Sequence, residues 1–293
     1  MQAATEILTG ILEALAATDP RSGPAGAMNR RFSREEAPAG PRVAVIGAGR
    51  LGTRLSAALR ETGIEVEGPL GRGVTPRAST AVILCVPDGE IGAAAAAAAG
   101  AAPLIGHTSG ATPLAAMDPA RQAGAALFGL HPLQSFAEPP AAGESPVEAF
   151  EGAGCAVAGT TAEALDFAVQ LARRLGMTPF EIDDKGRAAY HAAASVASNF
   201  LVTLQAAAES IAAGAGLEPH EARALLVPLL RGTVENLAEH GPERALTGPI
   251  ARGDHATVEA QRAAVEEVAP HLLDLFDGLV RHPRSLAGRE APA

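Results

Sequence analysis

Gly47, Gly49 and Gly52 stand at the spacing G-x-G-x-x-G within Gly47-Ala48-Gly49-Arg50-Leu51-Gly52, and the chemistry served by that spacing is the grip of a pyrophosphate. The first glycine lets a strand turn sharply. The second lets a phosphate reach the backbone, and the third lets the next helix pack closely with its unpaired N–H groups and positive dipole end towards the anion. In a chain with 32 glycines the motif alone could be an ordinary turn. Its surroundings favour strand, turn and helix: the apolar run Val43-Ala44-Val45-Ile46 precedes it, and Leu51, Leu55, Ala58 and Leu59 follow at helical spacing. Residues 47–52 are therefore expected to bind a dinucleotide.

The cofactor's identity is set near the end of the second strand, where a carboxylate accepts from a ribose 2′-OH and an arginine holds a 2′-phosphate. Glu67 lies where the carboxylate is expected, and Arg72 follows in the Gly-rich stretch Gly71-Arg72-Gly73. The flanking glycines suit close approach to a phosphate, so Arg72 and NADP are favoured over Glu67 and NAD; either charge could instead be a solvated turn residue. Val86-Pro87-Asp88 is expected to line the cofactor, with Asp88 capping the following helix or meeting the ligand. Two further strand ends carry His107-Thr108-Ser109-Gly110 and His131-Pro132-Leu133. Thr108 and Ser109 are assigned to the cofactor, His107 and His131 to the substrate.

Farther along, Tyr190, His191, Ser195, Ser198 and Asn199 interrupt an otherwise apolar stretch. In one helix, positions 191, 195 and 199 would share a face, where they form either a substrate-binding row or an interhelical hydrogen-bond ladder. Thr247 and Arg252, in Thr247-Gly248-Pro249 and Arg252-Gly253-Asp254, are candidates to hold a substrate hydroxyl and carboxylate; Arg252 could equally pair with Asp254. No metal-ligand spacing is present.

The elements that must position these residues are strands alternating with helices up to about residue 183, then helices alone over roughly 184–213, 218–240 and 255–280. About a dozen residues separate the second and third strands, too few for a crossover helix, so a loop is expected there. The expected architecture is α/β: a doubly wound, mostly parallel sheet followed by an all-helical domain. The boundaries read as a loose N-terminal extension over 1–40, containing one amphipathic stretch and a second methionine, Met28; a dinucleotide-binding domain over 41–183; a helical substrate and dimerisation domain over 184–285; and a tail over 286–293. The first long helix is nearly all apolar or small, which predicts burial on all sides, at a domain centre or a dimer interface.

A net charge of -10 argues against nucleic acid and anionic membrane surfaces as partners. Cys85 and Cys155, two cysteines in apolar runs, provide no disulfide framework. No stretch reaches the roughly 18 apolar residues of a membrane span. The chain reads as cytoplasmic, with small molecules and a second copy of itself as partners.

Residues 42–283 resemble a bacterial family of Rossmann-like oxidoreductases with a C-terminal domain of unknown function. The resemblance rests on His107-Thr108-Ser109-Gly110, His131-Pro132-Leu133, Tyr190-His191-Ala192-Ala193-Ala194 with Ser198-Asn199-Phe200, and Leu246-Thr247-Gly248-Pro249-Ile250 with Arg252-Gly253-Asp254. That family is similar to pyrroline-5-carboxylate reductase, ketopantoate reductase and the β-hydroxyacid dehydrogenases. The resemblance implies an NADP-binding Rossmann domain, a helical domain like that of 6-phosphogluconate dehydrogenase, and a homodimer formed through it. The hydroxyacid dehydrogenases place a lysine one turn before an asparagine as general acid/base, whereas the position one turn before Asn199 here is Ser195. His191 is the substitute proton donor on this reading, with Ser195 and Asn199 orienting the substrate. The expected activity is NADP-dependent hydride transfer, in the cleft between the domains, to a small carbonyl compound, a 2-keto acid such as ketopantoate. The alternatives are an imine substrate of the pyrroline-5-carboxylate kind, which can bind already protonated, and a non-catalytic NADP-sensing protein.

Overall fold

The computed structural model describes residues 42–136, 143 and 145–287. The extension expected over 1–40 and the tail beyond residue 287 lie outside the described residues, as does part of the loop expected over 138–148. The chain divides into two compact units, the first ending at Ala194 and the second beginning at Ser195.

The first unit is built on a seven-stranded sheet of β1 (Arg42–Ile46), β2 (Glu65–Leu70), β3 (Ala81–Leu84), β4 (Leu104–His107), β5 (Ala126–Leu133), β6 (Gly154–Gly159) and β7 (Thr178–Glu181), in the order β2-β1-β3-β4-β5-β6-β7. Strands β1 to β5 are parallel, β6 is antiparallel to β5, and β7 is parallel to β6. The near-continuous apolar strands are those of a sheet covered on both faces. Val43, Val45 and Ile83 pack under α1 (Arg50–Glu61) and α4 (Ala162–Arg174) through Leu55, Leu59, Phe167 and Leu171. Ala44, Ile46, Val82 and Leu84 face the other way, under α2 (Ile91–Ala97), α3 (Asp118–Gln122) and the 3-10 turn Leu114–Met117. The sheet is therefore doubly wound, and its chain order reverses between β1 and β3. Thr161 caps α4, its hydroxyl accepting from the Ala164 amide at 3.2 Å.

The link from β2 to β3 contains no helix, as its length requires. β2 itself runs to Leu70, farther than the apolar pattern suggests, because its pairing with β1 shifts register and resumes at Ile46 and Leu70. Asp88 is not a helix cap: it opens a 3-10 turn, Asp88–Glu90, and Glu90 occupies the N-cap position of α2.

Helix α5 (Arg187–Ala197) begins in the first unit and ends in the second. The second unit continues with α6 (Asn199–Ala212), α7 (Pro219–His240), the short α8 (Pro242–Ala245) and α9 (Gly248–Ala251), α10 (His255–Val268) and α11 (Leu273–Ala287). Two long helices expected from periodicity are thus broken. Ser198, at φ -118° and ψ -73°, separates α5 from α6, in a Ser-Asn step whose side chains compete for backbone hydrogen bonds. Pro270, which cannot continue the ladder, separates α10 from α11. Of the two sites expected for the apolar helix, burial within the chain is not what forms: Val196, Phe200 and Val202 are 59%, 55% and 71% exposed in the single chain. No described helix is long and apolar enough to cross a membrane.

Phe128 on β5 is fully buried and meets the Phe167 ring edge-on at 5.2 Å. Phe128→Ala should cost about 3–5 kcal/mol and lower the thermal midpoint followed by circular dichroism; an unchanged midpoint would show that this contact is not central to the core.

Candidate functional site

The parallel strands β1, β3, β4 and β5 bring their carboxyl ends to one edge of the sheet, and the strand order reverses there between β1 and β3, the place where open α/β sheets take ligands. Gly47 turns out of β1 at φ +113°, its amide donating to the Leu70 carbonyl at 2.8 Å. A Cβ on Gly47 would lie 2.1 Å from the Cys85 carbonyl oxygen, and one on Gly52 would lie 1.9 Å from the Gly47 oxygen. Protein packing therefore requires both of these glycines. Gly49 differs, because a Cβ there would meet nothing within 4 Å. Gly49 is also the N-cap of α1, with no side-chain cap and no acidic residue in the first turn. The α1 N-terminus is thus open and positive, with Ala48, Gly49 and Arg50 exposed, Leu51 half-buried and Gly52 buried. Val86, Pro87 and Asp88 follow β3 at the same edge and are half-buried to exposed.

Glu67 and Arg72 both have protein partners. The Glu67 side chain is 14% exposed; it accepts from the Arg77 amide at 3.0 Å and pairs with the Arg77 guanidinium at 3.3 Å. Arg72 is 83% exposed and pairs with Glu90 at the start of α2, beside residues 86–88. The 71–77 segment therefore sets two guanidinium groups near the end of β2, while its carboxylate is occupied. Arg77 is absent from the sequence-derived set; its distance from Glu67 along the loop gave no periodic signal.

A second group of polar side chains lies past β4 and β5. Thr108 is buried and donates its amide to the Leu84 carbonyl at 3.1 Å, tying the end of β4 to β3. The Ser109 hydroxyl accepts from the Ala111 and Thr112 amides at 3.2 and 2.9 Å. His107 is fully buried, its Nδ1 accepting from the Ser109 amide at 3.2 Å, so it sits beneath the rim and does not face a substrate. Burial, then Arg187, lowers its pKa to about 4. His131 on β5 is half-buried, and its Nδ1 lies 2.6 Å from the Tyr190 hydroxyl. The His131 and His191 ring centroids are 5.9 Å apart. Gly110 makes this cluster possible: a Cβ there would lie 2.7 Å from His191 Nδ1 and 2.8 Å from His131 Cε1.

Beneath the cluster lies Arg187, 1% exposed, another residue missed from sequence. Its Nε donates to Asp184 Oδ1 at 2.9 Å and Nη1 to the Ser109 carbonyl at 3.4 Å, while Nη2 is buried with no hydrogen-bond partner. Arg187, Tyr190 and His191 stand at i, i+3 and i+4 on α5 and share one face. That spacing is the signal that could have found the arginine.

The remaining candidates belong to the second unit. Ser195 is half-buried near the end of α5; Asn199 is exposed and begins α6, so the continuous i, i+4, i+8 face expected for 191, 195 and 199 does not form. Thr247 and Arg252 are exposed. Asp254 caps α10, accepting from the Thr257 amide at 3.1 Å and hydroxyl at 2.7 Å. No group of three or more His, Cys, Asp or Glu side chains able to hold a metal occurs among the described residues.

Residues 153–282 match the family model described as "Domain of unknown function (DUF2520)". The match covers this segment alone. It begins at the antiparallel end of the sheet, just before β6, and takes in the Arg187–Tyr190–His191 face and most of the helical unit. Among solved structures, a Bacteroides fragilis protein described as an NADP oxidoreductase is 19% identical with a TM-score of 0.67, over 84% of this chain and 98% of its own. Protein TM1727 of Thermotoga maritima is 25% identical with a TM-score of 0.64, over the same shares. Pyrroline carboxylate reductase of Plasmodium falciparum, solved with NADP bound, is 9% identical with a TM-score of 0.54, over 85% and 99%. These likenesses establish a Rossmann-like fold. No curated protein matches the chain in sequence.

The three glycines should separate stability from binding. Gly52→Ala should lower the thermal midpoint by several degrees, whereas Gly49→Ala should leave it unchanged and weaken NADPH binding at least about tenfold, as read by nicotinamide fluorescence. Full affinity in Gly49→Ala would contradict the assignment of this cradle.

Proposed function

We propose that this protein is an NADP-dependent oxidoreductase acting on a small carbonyl or imine compound. The observation that carries the reading is the open space over Gly49: contacts within the protein require Gly47 and Gly52, whereas Gly49, at the start of α1, leaves room for a phosphate to reach the backbone. The exposed start of α1, with no acidic side chain in its first turn, suits a pyrophosphate there. Gly47 to Gly52 would hold the pyrophosphate, with Val86, Pro87, Asp88, Thr108 and Ser109 along the same edge. Arg72 and Arg77 would take the 2′-phosphate, since Glu67 is already engaged by Arg77. Bound there, the dinucleotide supplies hydride. The solved relatives named for NADP support the same cofactor.

The polar cluster of His131, Tyr190 and His191 supplies the substrate's side of the reaction. A 2-keto acid such as ketopantoate is the proposed substrate class, with Ser195, Asn199, Thr247 and Arg252 as further substrate contacts. A cyclic imine of the pyrroline-carboxylate kind is the second reading. It is favoured by burial, which together with His191 and Arg187 holds His131 unprotonated down to a pKa of about 4, because an imine can arrive with its own proton. The exposed apolar residues Phe200, Val202, Leu225 and Leu229 support a homodimer formed through the helical unit.

Titration should show NADPH binding more tightly than NADH, and Arg72→Ala should remove most of that preference; equal affinities in the unaltered protein would count against the phosphate assignment. Sedimentation velocity should show a dimer that Leu229→Glu shifts towards monomer, whereas a monomeric parent protein would dismiss the interface. Among 2-keto acids and cyclic imines offered with NADPH, at least one should turn over. Cofactor binding without turnover of any of them would favour a sensor.

A further inference from the structure

We infer that Tyr190 and His131 form a proton relay beside the hydride-transfer site, with Arg187, on the same face of α5 as Tyr190 and tied to the Ser109 carbonyl, as a buried positioning residue. The inference rests on the reductase reading above and assigns roles within its polar cluster. Tyr190 is held between His131 and Phe180. Its hydroxyl meets His131 Nδ1 at 2.6 Å, the two rings pack edge-to-face at 5.5 Å, and Phe180 packs against the other side of the phenol at 5.7 Å. His131 is fixed by the β5–β6 ladder, where the next residue, Pro132, pairs with Cys155, and by Gly110, which leaves no space for a side chain between the imidazoles.

The charged and titratable groups facing the pair are Arg187 and His191 from α5, Asp88 after β3, and Cys155 on β6. Burial, then His191 and Arg187, lowers the His131 pKa to about 4 against the opposing pull of Asp88. Burial, then Cys155, raises the Tyr190 pKa to about 12 against the pull of Arg187. His131 is therefore neutral above about pH 4 and Tyr190 protonated below about pH 12, so both are uncharged at neutral pH. His191 Nδ1 is buried without a hydrogen-bond partner, whereas the Tyr190 hydroxyl shares a hydrogen bond with His131 Nδ1, which in the Nδ1–H tautomer is the donor.

Two neutral groups in contact can pass a proton without forming a buried cation. As the substrate oxygen or nitrogen gains electron density, it takes the Tyr190 proton: the Oη–H bond breaks and the product O–H or N–H bond forms. The phenol oxygen recovers a proton from Nδ1 of His131, while Nε2 takes one from solvent and the imidazole passes to its other tautomer. One solvent proton is consumed, and no oxidant or reductant beyond the hydride source is needed. The nearby Arg187 guanidinium opposes protonation of His131, so the exchange runs between two neutral groups.

Tyr190 is the chain's one tyrosine, and tryptophan is absent, so tyrosinate absorbance reports a single group. The full chain is titrated by that absorbance and by 15N NMR of its histidines, for the unaltered protein and for Tyr190→Phe, Arg187→Lys and Arg187→Met. The relay predicts phenol ionisation near 12 and a His131 that stays neutral at pH 6, with an Nδ1 resonance that moves in Tyr190→Phe. Arg187→Lys should keep His131 neutral, and Arg187→Met should raise its pKa. If Arg187→Met does not fold, Asp184→Asn, which leaves the guanidinium uncompensated, should lower that pKa instead. With NADPH and the keto-acid and imine panel, Tyr190→Phe should lower kcat about 100-fold or more while KM and NADPH affinity hold, and His191→Gln should lose less. A phenol ionising near 10, a His131 protonating near 6.5, or a His131 titration unmoved by the residue 187 and 184 variants would overturn the relay. Loss of NADPH binding in the unaltered protein would overturn the reductase reading while the spectroscopic titrations still judged the relay.

Discussion

The Cys85 carbonyl lies where any side chain on residue 47 would have to go, and the site's geometry follows from that contact. It exists because β3 runs directly beside β1, with the Cys85 amide donating to Ile46 at 2.7 Å, so the two strands end together. Gly47 must then leave β1 at positive φ, which turns the chain across the sheet edge and starts α1 close enough for Gly52 to touch the Gly47 carbonyl. With both ends of the turn fixed by packing, the segment between them is held in place, and a Cβ on Gly49 would meet nothing within 4 Å. The turn proposed to bind the pyrophosphate results from strand adjacency and helix packing, without any side chain dedicated to it.

The polar cluster depends on a different constraint, a buried charge. Arg187 is taken from water with one carboxylate, one carbonyl and one unpaired nitrogen to compensate it, an arrangement that does not by itself stabilise a fold. Its effect is on its neighbours: burial, then Arg187, lowers the pKa of His107, and burial, then His191 and Arg187, lowers that of His131. The sheet places these groups on the edge that also carries the cradle, because β1, β3, β4 and β5 are parallel neighbours. The residues proposed for cofactor binding and for proton transfer are thereby brought to one edge by topology.

The strands were legible in the sequence because both faces of this sheet are covered, which leaves apolar runs such as Val43–Ile46 and Ala81–Leu84 that end in glycine or proline. The missing crossover helix was legible from chain length alone. The helical half was read less well, for a local reason. Periodicity carries the eye across Ser198 and Ala269, where a Ser-Asn step and a proline break the backbone ladder. The row 191, 195, 199 was drawn across that break, whereas 187, 190, 191, within one unbroken helix, is the face that meets His131 and Gly110. Arg187 and Arg77 escaped notice because a charged residue in sequence reads as solvated, and only packing reveals that one is buried and the other neutralises Glu67.

The central claim is that the turn from β1 into α1 holds a dinucleotide's pyrophosphate, and a crystal structure of the protein with NADPH tests it most directly. The account predicts the pyrophosphate over the amides of residues 49–52, with the adenosine 2′-phosphate against Arg72 and Arg77. A nucleotide bound elsewhere, with the space over Gly49 filled by protein or left to solvent, would contradict it.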